Sequence, residues 1–285
     1  MRHMTIIYKR SRSEAAQLAH ELKDWLEQHN VQVSCQQNID DSGAGIRRET
    51  RQLEIPDESE VVIVLGGDGT FLSVARFLKN RTTSIIGVNL GGLGFLTEIN
   101  REACYAELEH VLEGHFEIEE RMRLLISVQR QTQEIFRQCV LNDAVINKGA
   151  LARIVDLKTS INGRYLTDYR ADGLIVATPT GSTAYNLSAG GPIVYPTARA
   201  IILTPICSFT LTNRPIILPA SATVEVKLPS PVRDIALTCD GQVGCDLEAF
   251  DRIVITTATN PLRLIKTPTI DYLEILRTKL KWGQN

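Results

Sequence analysis

An α/β domain with a parallel sheet, followed by a β-rich, sandwich-like domain, is the architecture predicted for this 285-residue chain. Three observations predict it. Apolar runs alternate with amphipathic stretches as far as about residue 115, short strand-like runs separated by turns take over beyond Phe116, and helical spacing returns at Ile270 to Trp282.

Thr5 to Tyr8 reads as a short strand. Ser13 to His29 reads as a helix, because Ala15, Leu18, Ala19, Leu22, Trp25 and Leu26 fall on one face at a 3.6-residue period. Val31 to Ser34 is a second strand, and Gln36 to Pro56 is polar enough for a loop beside a binding site. Val61 to Leu65 and Ser84 to Val88 are continuous apolar runs of the kind buried on both faces of a parallel sheet. A helix from Arg101 to Leu112, closed by Gly114, ends the alternation.

Beyond it, strand-like runs recur at Leu124–Gln129, Ile135–Leu141, Ile154–Ile161, Leu174–Ala177, Ile216–Leu218, Val224–Leu228, Ile235–Cys239 and Ile253–Thr257. They predict a sandwich of about eight strands, with tight turns at Asn162-Gly163 and Asp240-Gly241. The terminal helix, with Tyr272, Leu273, Leu276 and Leu280 on one face, needs a surface to pack on.

Composition narrows the function. Hydrophobic residues make up 44% and charged residues 22%, ordinary for a globular chain, and a net charge of −2 gives no basic field for nucleic acid. The start, MRHMTIIYKR, has too short an apolar stretch for a signal peptide, and no run approaches the ~20 residues that span a bilayer; a cytoplasmic protein without a membrane partner is expected. The six cysteines include no Cys-x-x-Cys and read as reduced, mostly buried thiols. The five histidines all precede residue 116, lack ligand spacing and read as helix-surface residues, which argues against structural zinc and a Ser/His/Asp hydrolase.

The chemistry concentrates where the strand Val61–Leu65 breaks into Gly66, Gly67, Asp68 and Gly69. Glycines there permit positive φ and let backbone N–H groups approach a phosphate, with Thr70 expected to cap a helix from Phe71 to Lys79. A carboxylate beside phosphates repels them unless it binds a metal, accepts a proton or takes a sugar hydroxyl's hydrogen bond. Neither the dinucleotide fingerprint nor a Walker A loop is present: Leu72 and Thr97 stand where third glycines belong, and the chain has no Gly-Lys dipeptide. Asn89 to Glu98, NLGGLGFLTE, is a second loop at a strand end, and Pro179 to Gly191 is too rich in Gly, Ser, Thr and Ala for a core element.

In order along the chain, LGGDGT at 65–70, NLGGLGFLTE at 89–98, LNDAVINKG at 141–149, RADGLIVATPTGSTAYNLSAGGP at 170–192 and LTNRPIILP at 211–219 resemble the NAD kinase family. Those enzymes phosphorylate the 2′-hydroxyl of the adenosine ribose of NAD to make NADP. GGDG alone is shared with lipid kinases and 6-phosphofructokinases; the later blocks in this order are highly specific. Ser208-Phe209 departs from the Pro-His common in the family, which bears on local structure near that loop.

The resemblance implies an NAD kinase-like fold, with an α/β domain at 1–118 joined by the terminal helix at 268–285 and a β-rich NAD-binding domain at 119–267. It implies ATP and NAD as substrates, with polyphosphate an open alternative donor, a divalent metal, magnesium, carried by ATP rather than by protein side chains, and a homotetramer or homodimer. Asp68 takes the position of the proton acceptor and Gly66, Gly67 and Gly69 those of phosphate-approach glycines, while Phe95 borders the adenosine. Asn142 and Asp143 match the pair that hydrogen-bonds NAD. Further nucleotide-contacting positions fall on Arg153, Arg170, Asp172, the run Thr183, Ala184, Tyr185, Asn186, Leu187 and Ser188, and Gln242. Two alternatives stand beside this reading: a diacylglycerol or sphingoid-base kinase sharing GGDGT, and a non-catalytic NAD(P)-binding regulator.

Overall fold

The computed structural model describes residues 2–38, 53–78, 82–149, 154–229, 234–269 and 271–283. Most of the polar loop expected between Gln36 and Pro56, together with Arg153, lies outside these. The chain divides into two compact units, the first holding the described residues up to 120 and from 262 onward, the second those from 121 to 261. Among the described residues, no helix is long and apolar enough to cross a membrane.

The first unit begins with β1 (His3–Tyr8), α1 (Ser13–Gln28), β2 (Gln32–Gln37) and β3 (Val61–Leu65). It continues through α2 (Asp68–Ala75), β4 (Ser84–Asn89), β5 (Ile99–Asn100), α3 (Cys104–Leu112) and β6 (Glu117–Arg121). β3 lies between β1 and β4 and runs parallel to both, so its five residues are buried on both faces, as its unbroken apolar run requires. Leu18, Leu22 and Leu26 of α1 pack with Ile6, Ile63 and Val88 in one apolar core.

The expected helix after the glycine turn begins three residues earlier than its apolar run indicates. Gly67 is its N-cap, Asp68 its first residue, and Thr70 sits inside the helix rather than capping it; regular helix ends at Ala75. An acid in the first turn offsets the four unpaired N–H groups there. His3 also departs from the expected helix surface: it is a buried residue of β1, with its ring nitrogens 3.1 Å from the hydroxyls of Ser59 and Ser34. Of the six cysteines, which are all free, Cys104 and Cys239 are buried and Cys207 is exposed, so the thiols are less buried than their composition predicts.

The second unit comprises β7 (Leu124–Arg130), β8 (Gln133–Val140), β9 (Asp143–Lys148), β10 (Val155–Ile161), β11 (Arg164–Ala171) and β12 (Gly173–Ala177). After a 3₁₀ turn at Thr180–Thr183 and the single turn α4 (Tyr185–Ser188) come β13 (Ala200–Ile206), β14 (Ile216–Pro219), β15 (Val224–Lys227), β16 (Ile235–Cys239), β17 (Val243–Leu247) and β18 (Arg252–Thr257). They form two six-stranded sheets, in the orders β11-β10-β15-β18-β7-β8 and β14-β13-β12-β9-β16-β17, more than the eight or so strands expected. The unpredicted strands include β9 and β11, where polar residues interrupt the apolar alternation and cross-strand pairing decides. The two tight turns form as expected: Asn162 (φ 52°) with Gly163 (φ 76°), and Asp240 (φ 50°) with Gly241 (φ 65°), each pair left-handed as a type I′ hairpin requires.

The chain then re-enters the first sheet as β19 (Leu262–Lys266), parallel to β4, and closes with α5 (Tyr272–Leu280). Asp271 caps α5 by accepting the N–H of Leu273 at 2.9 Å. The buried face of α5 is Tyr272, Ile275 and Leu276; Leu273, expected on that face, is 51% exposed.

Candidate active site

At the carboxyl ends of β1, β3 and β4, three connections meet, the place where a parallel sheet gathers its ligands. Lys9 and Arg12 follow β1, Gly66 to Asp68 follow β3, Asn89 ends β4 and Gly91 to Gly94 come after it; with Lys279 of α5 they line a cavity of about 280 Å³. The turn does not use positive φ at Gly66, Gly67 or Gly69. Space is what the glycines supply: a Cβ at Gly66 would stand 2.6 Å from Thr70 Oγ1, whereas at Gly67 and Gly69 it would meet nothing within 4 Å. Phe95 sits half-buried in the neighbouring loop, its ring centroid 5.8 Å from the Lys279 ammonium.

Asp68 has a partner that the sequence did not suggest. Its Oδ1 accepts the N–H of Leu96 (3.0 Å), the N–H of Thr97 (3.0 Å) and the Thr97 hydroxyl (2.9 Å), while Oδ2 accepts only the N–H of Phe95 (2.9 Å). The carboxylate therefore pins the 94–97 loop with one oxygen and keeps most of the other's acceptor capacity. Gly94 is required for this closeness, because a Cβ there would collide with Asp68 Oδ1. Asn89 extends the network: its Nδ2 donates to Thr97 Oγ1 at 2.8 Å and its Oδ1 accepts the N–H of Gly91 at 2.7 Å. Thr97 and Asn89 fall in the loop that the sequence singles out, but their roles are missed by sequence reasoning, since neither carries a local sign of a distant carboxylate.

The second unit has its own cavity, of about 270 Å³, lined among others by Asn142, Asp143, Asn147, Ala184, Tyr185, Asp240 and Gly241. Asp240, at the tip of the β16–β17 hairpin, accepts the N–H groups of Leu141 (3.0 Å), Asn142 (2.7 Å) and Asp143 (3.1 Å), and its own N–H donates to the Asp143 carbonyl at 2.9 Å. From the other side Thr178 donates its N–H to the Asn142 carbonyl (2.8 Å) and its hydroxyl to that of Leu141 (2.5 Å), and Gly181 packs too closely on Asn142 for any Cβ. Residues 141–143 are thus held from both sides. Asp143 is 4% exposed, and burial first, then the charge of Asp240, pushes its carboxyl up to about 7. Asp240 reads in the sequence as a turn former only; its place in the Asp-Gly turn hid its second use.

Of the candidate residues in this unit, Asn142, Asp143, Ala184 and Tyr185 come together at the cavity. Gln242 follows the hairpin tip, half-buried, and donates its N–H to Cys239. Asn186 is fully buried, donating to the carbonyls of Ser182 and Pro192 and accepting the Thr204 hydroxyl at 2.6 Å, so its side chain shapes the 182–192 loop. Thr183 bonds back to Thr180, while Leu187 and Ser188 are part of α4, the latter exposed. Arg170 and Asp172 do not line the cavity: Arg170 pairs with Asp156 at 3.1 Å and lies over Phe209, and Asp172 pairs with Lys148 at 2.9 Å. At the departure from the family pattern, Phe209 is 67% exposed under that guanidinium, and Ser208 accepts the Asn213 amide at 2.8 Å. His110, Glu113 and His115, at the end of α3, bring ligand atoms within 4.8 Å of one another, a gathering their linear spacing did not indicate.

Profiles of the ATP-NAD kinase N-terminal and C-terminal domains match residues 4–116 and 141–267. The NAD kinase of Syntrophobacter fumaroxidans is 63% identical over 284 residues, all of this chain and all of that one. The chain belongs to the NAD kinase family. Another NAD kinase, from Citrifermentans bemidjiense, is 47% identical over the full length of both chains. Among solved structures, yeast NADH kinase complexed with NADH superposes with a TM-score of 0.85 at 25% identity, covering 100% of this chain and 89% of that one. An NAD kinase from Archaeoglobus fulgidus in complex with ATP gives 0.75 at 25% identity, covering 98% of each. Family membership favours NAD as acceptor over the lipid of a GGDGT lipid kinase, and the enzyme is a phosphotransferase with an alcohol acceptor.

Proposed function

We propose that this NAD kinase uses Asp68 as the proton acceptor when the γ-phosphoryl of ATP passes to the 2′-hydroxyl of the adenosine ribose of NAD. The hydroxyl oxygen bonds to phosphorus, the bond to the β–γ bridging oxygen breaks, ADP leaves, and the proton goes to Asp68. Supporting this is the unequal use of the two carboxylate oxygens: Oδ1 accepts three hydrogen bonds from the 96–97 backbone and hydroxyl, and Oδ2 one. An anion fixed in place by one oxygen is aimed by the other. A loose transition state asks little of the base, so positioning and charge neutralisation supply the rest.

In the second unit, Asn142, Asp143, Ala184 and Tyr185 bind NAD. With its carboxyl pushed up to about 7, Asp143 both donates and accepts near neutrality, which suits the amide and amino groups of the dinucleotide. Arg170, Asp172, Thr183, Asn186, Leu187, Ser188 and Gln242 stand as nucleotide-contacting or nucleotide-shaping positions on the strength of the family pattern. Magnesium fits as the counter-ion of ATP, because among the described lining residues Asp68 is the one carboxylate, too few protein oxygens to hold the ion without phosphate and water. It would neutralise charge on the β- and γ-phosphate oxygens while held by phosphate and water. A homo-oligomer, tetramer or dimer, accords with the family and with exposed Phe209 (67%) and Leu211 (87%); light scattering on the eluted protein measures it. A cytoplasmic location accords with free thiols throughout.

The test of the activity is direct. Purified protein with NAD, ATP and Mg²⁺ yields NADP, followed with an NADP-specific dehydrogenase. NAD binding without NADP would make the chain a regulator that kept the fold and lost the chemistry.

A further inference from the structure

A phosphoryl donor brings several negative charges to a turn whose own ionised group, Asp68, is negative, so something else must attract it. The cavity lining supplies an excess of positive charge. Lys9, Arg12 and Lys279 reach it from the β1–α1 connection and the last turn of α5, three cations against one carboxylate. Arg12 is held in place: its Nη1 donates to the Leu90 carbonyl at 2.7 Å, and its guanidinium nitrogens lie 3.5 and 3.8 Å from the position of a Cβ on Gly91, where glycine keeps the approach open. Lys279 rests its ammonium over the Phe95 ring at 5.8 Å.

These cations differ from others in the protein. Arg130 pairs with Asp251, Arg252 with Glu225 and Lys266 with Glu98, whereas among the described residues none of Lys9, Arg12 and Lys279 forms an ion pair. Among the described lining residues Leu93 is the single large apolar side chain, and the others offer glycine backbone and polar groups. Cations without an ion pair among the described residues, set around open backbone, match a chain of phosphates, not the flat apolar face of a base.

We propose that Lys9, Arg12 and Lys279 form the receptor for the phosphate chain of the donor, and that α5 thereby completes the donor site as well as covering the sheet. This rests on reading the turn at Asp68 as the site of phosphoryl transfer. Lys279 lies more than 200 residues from the turn in sequence, so only the return of the chain to the first sheet makes it a ligand for the donor.

Lys279→Met keeps the apolar stem and removes the charge. With NAD saturating, the expected result is a KM for ATP raised about tenfold or more, a KM for NAD within about twofold of the parent, and substantial recovery in Lys279→Arg. Calorimetry with inorganic triphosphate in the absence of NAD provides a second readout: the parent binds it, affinity drops as salt rises, and both Lys279→Met and Lys9→Met bind it about tenfold more weakly. Unchanged KM for ATP together with unchanged triphosphate affinity in either folded variant overturns the proposal. If the parent formed no NADP, the catalytic reading would fail, while loss of triphosphate binding in the variants would still establish the receptor.

Discussion

Asp68 in the first unit and Asp240 in the second use one device in opposite electrostatic settings. Each is an acid at the tip of a strand-end turn whose carboxylate accepts the N–H groups of three consecutive residues of another segment, 95–97 for Asp68 and 141–143 for Asp240. Around Asp68 the cavity carries Lys9, Arg12 and Lys279; beside Asp240 stands a second acid, Asp143, whose carboxyl burial and then the charge of Asp240 push up to about 7. The first setting places a carboxylate among cations, suited to polyanions and proton acceptance. The second keeps a carboxyl near its protonated form, suited to hydrogen-bonding a dinucleotide's uncharged edges.

The largest expected effect comes from removing the charge at the first tip. In Asp68→Asn, the amide oxygen in place of Oδ1 still accepts from Leu96 and Thr97, and the NH₂ in place of Oδ2 loses the bond from the Phe95 N–H and cannot take a proton. Turnover should fall by ~10² to 10⁴ with calorimetric NAD affinity largely retained. A kcat within about fivefold of the parent would make Asp68 a loop anchor alone.

The second tip should respond in the other kinetic constant. Asp240→Ala strips a charged acceptor from three N–H groups, each such bond being worth about 1.5 to 3 kcal/mol, and releases 141–143. NAD affinity should weaken by roughly 10- to 100-fold with a smaller loss of kcat at saturating NAD. Loss of kcat alone, at unchanged affinity, would collapse the distinction between the two tips.

Thr97 tests how finely Asp68 is aimed. Thr97→Val keeps the shape but deletes the hydroxyl that donates to Asp68 at 2.9 Å and accepts from Asn89 at 2.8 Å. A drop in kcat of about tenfold at little-changed KM is expected, recovered by Thr97→Ser, because one charge-assisted bond is removed while two backbone bonds to Oδ1 persist. Equal loss in the Ser variant would assign Thr97 to packing.

The smallest effect is a slope in stability with pH. Asp143 rises from 3.8 unfolded to about 7 folded, so between those values the native state binds more protons than the unfolded one. This group's contribution to stability is therefore full below pH ~4 and is lost as pH rises toward about 7. Asp143→Asn removes that downward slope: Tm of the parent relative to the variant should fall between pH 4.5 and 7 and then level off. Parallel curves would mean the carboxyl is ionised throughout.

Much of the fold and part of the site were written locally. Continuous apolar runs specified β3 and β4, a 3.6-residue period specified α1, and Asn162-Gly163 and Asp240-Gly241 specified their turns, because each signal depends only on neighbours within one element. The GGDG turn was legible for the same reason, as a short block of unusual residue type, whereas the LNDA segment was legible only through the family resemblance. Tertiary structure decided the rest. Long-range pairing made strands of β9 and β11, returned β19 to the first sheet, and turned the buried face of α5 to Ile275 instead of Leu273. It also decided the partners of the acids: Thr97 for Asp68, the 141–143 backbone for Asp240, and Lys279 beside the turn. A hydrogen bond or an electric field depends on distance in space, and no spacing along the chain encodes contacts across 29, 98 or 200-odd residues until the sheets have formed.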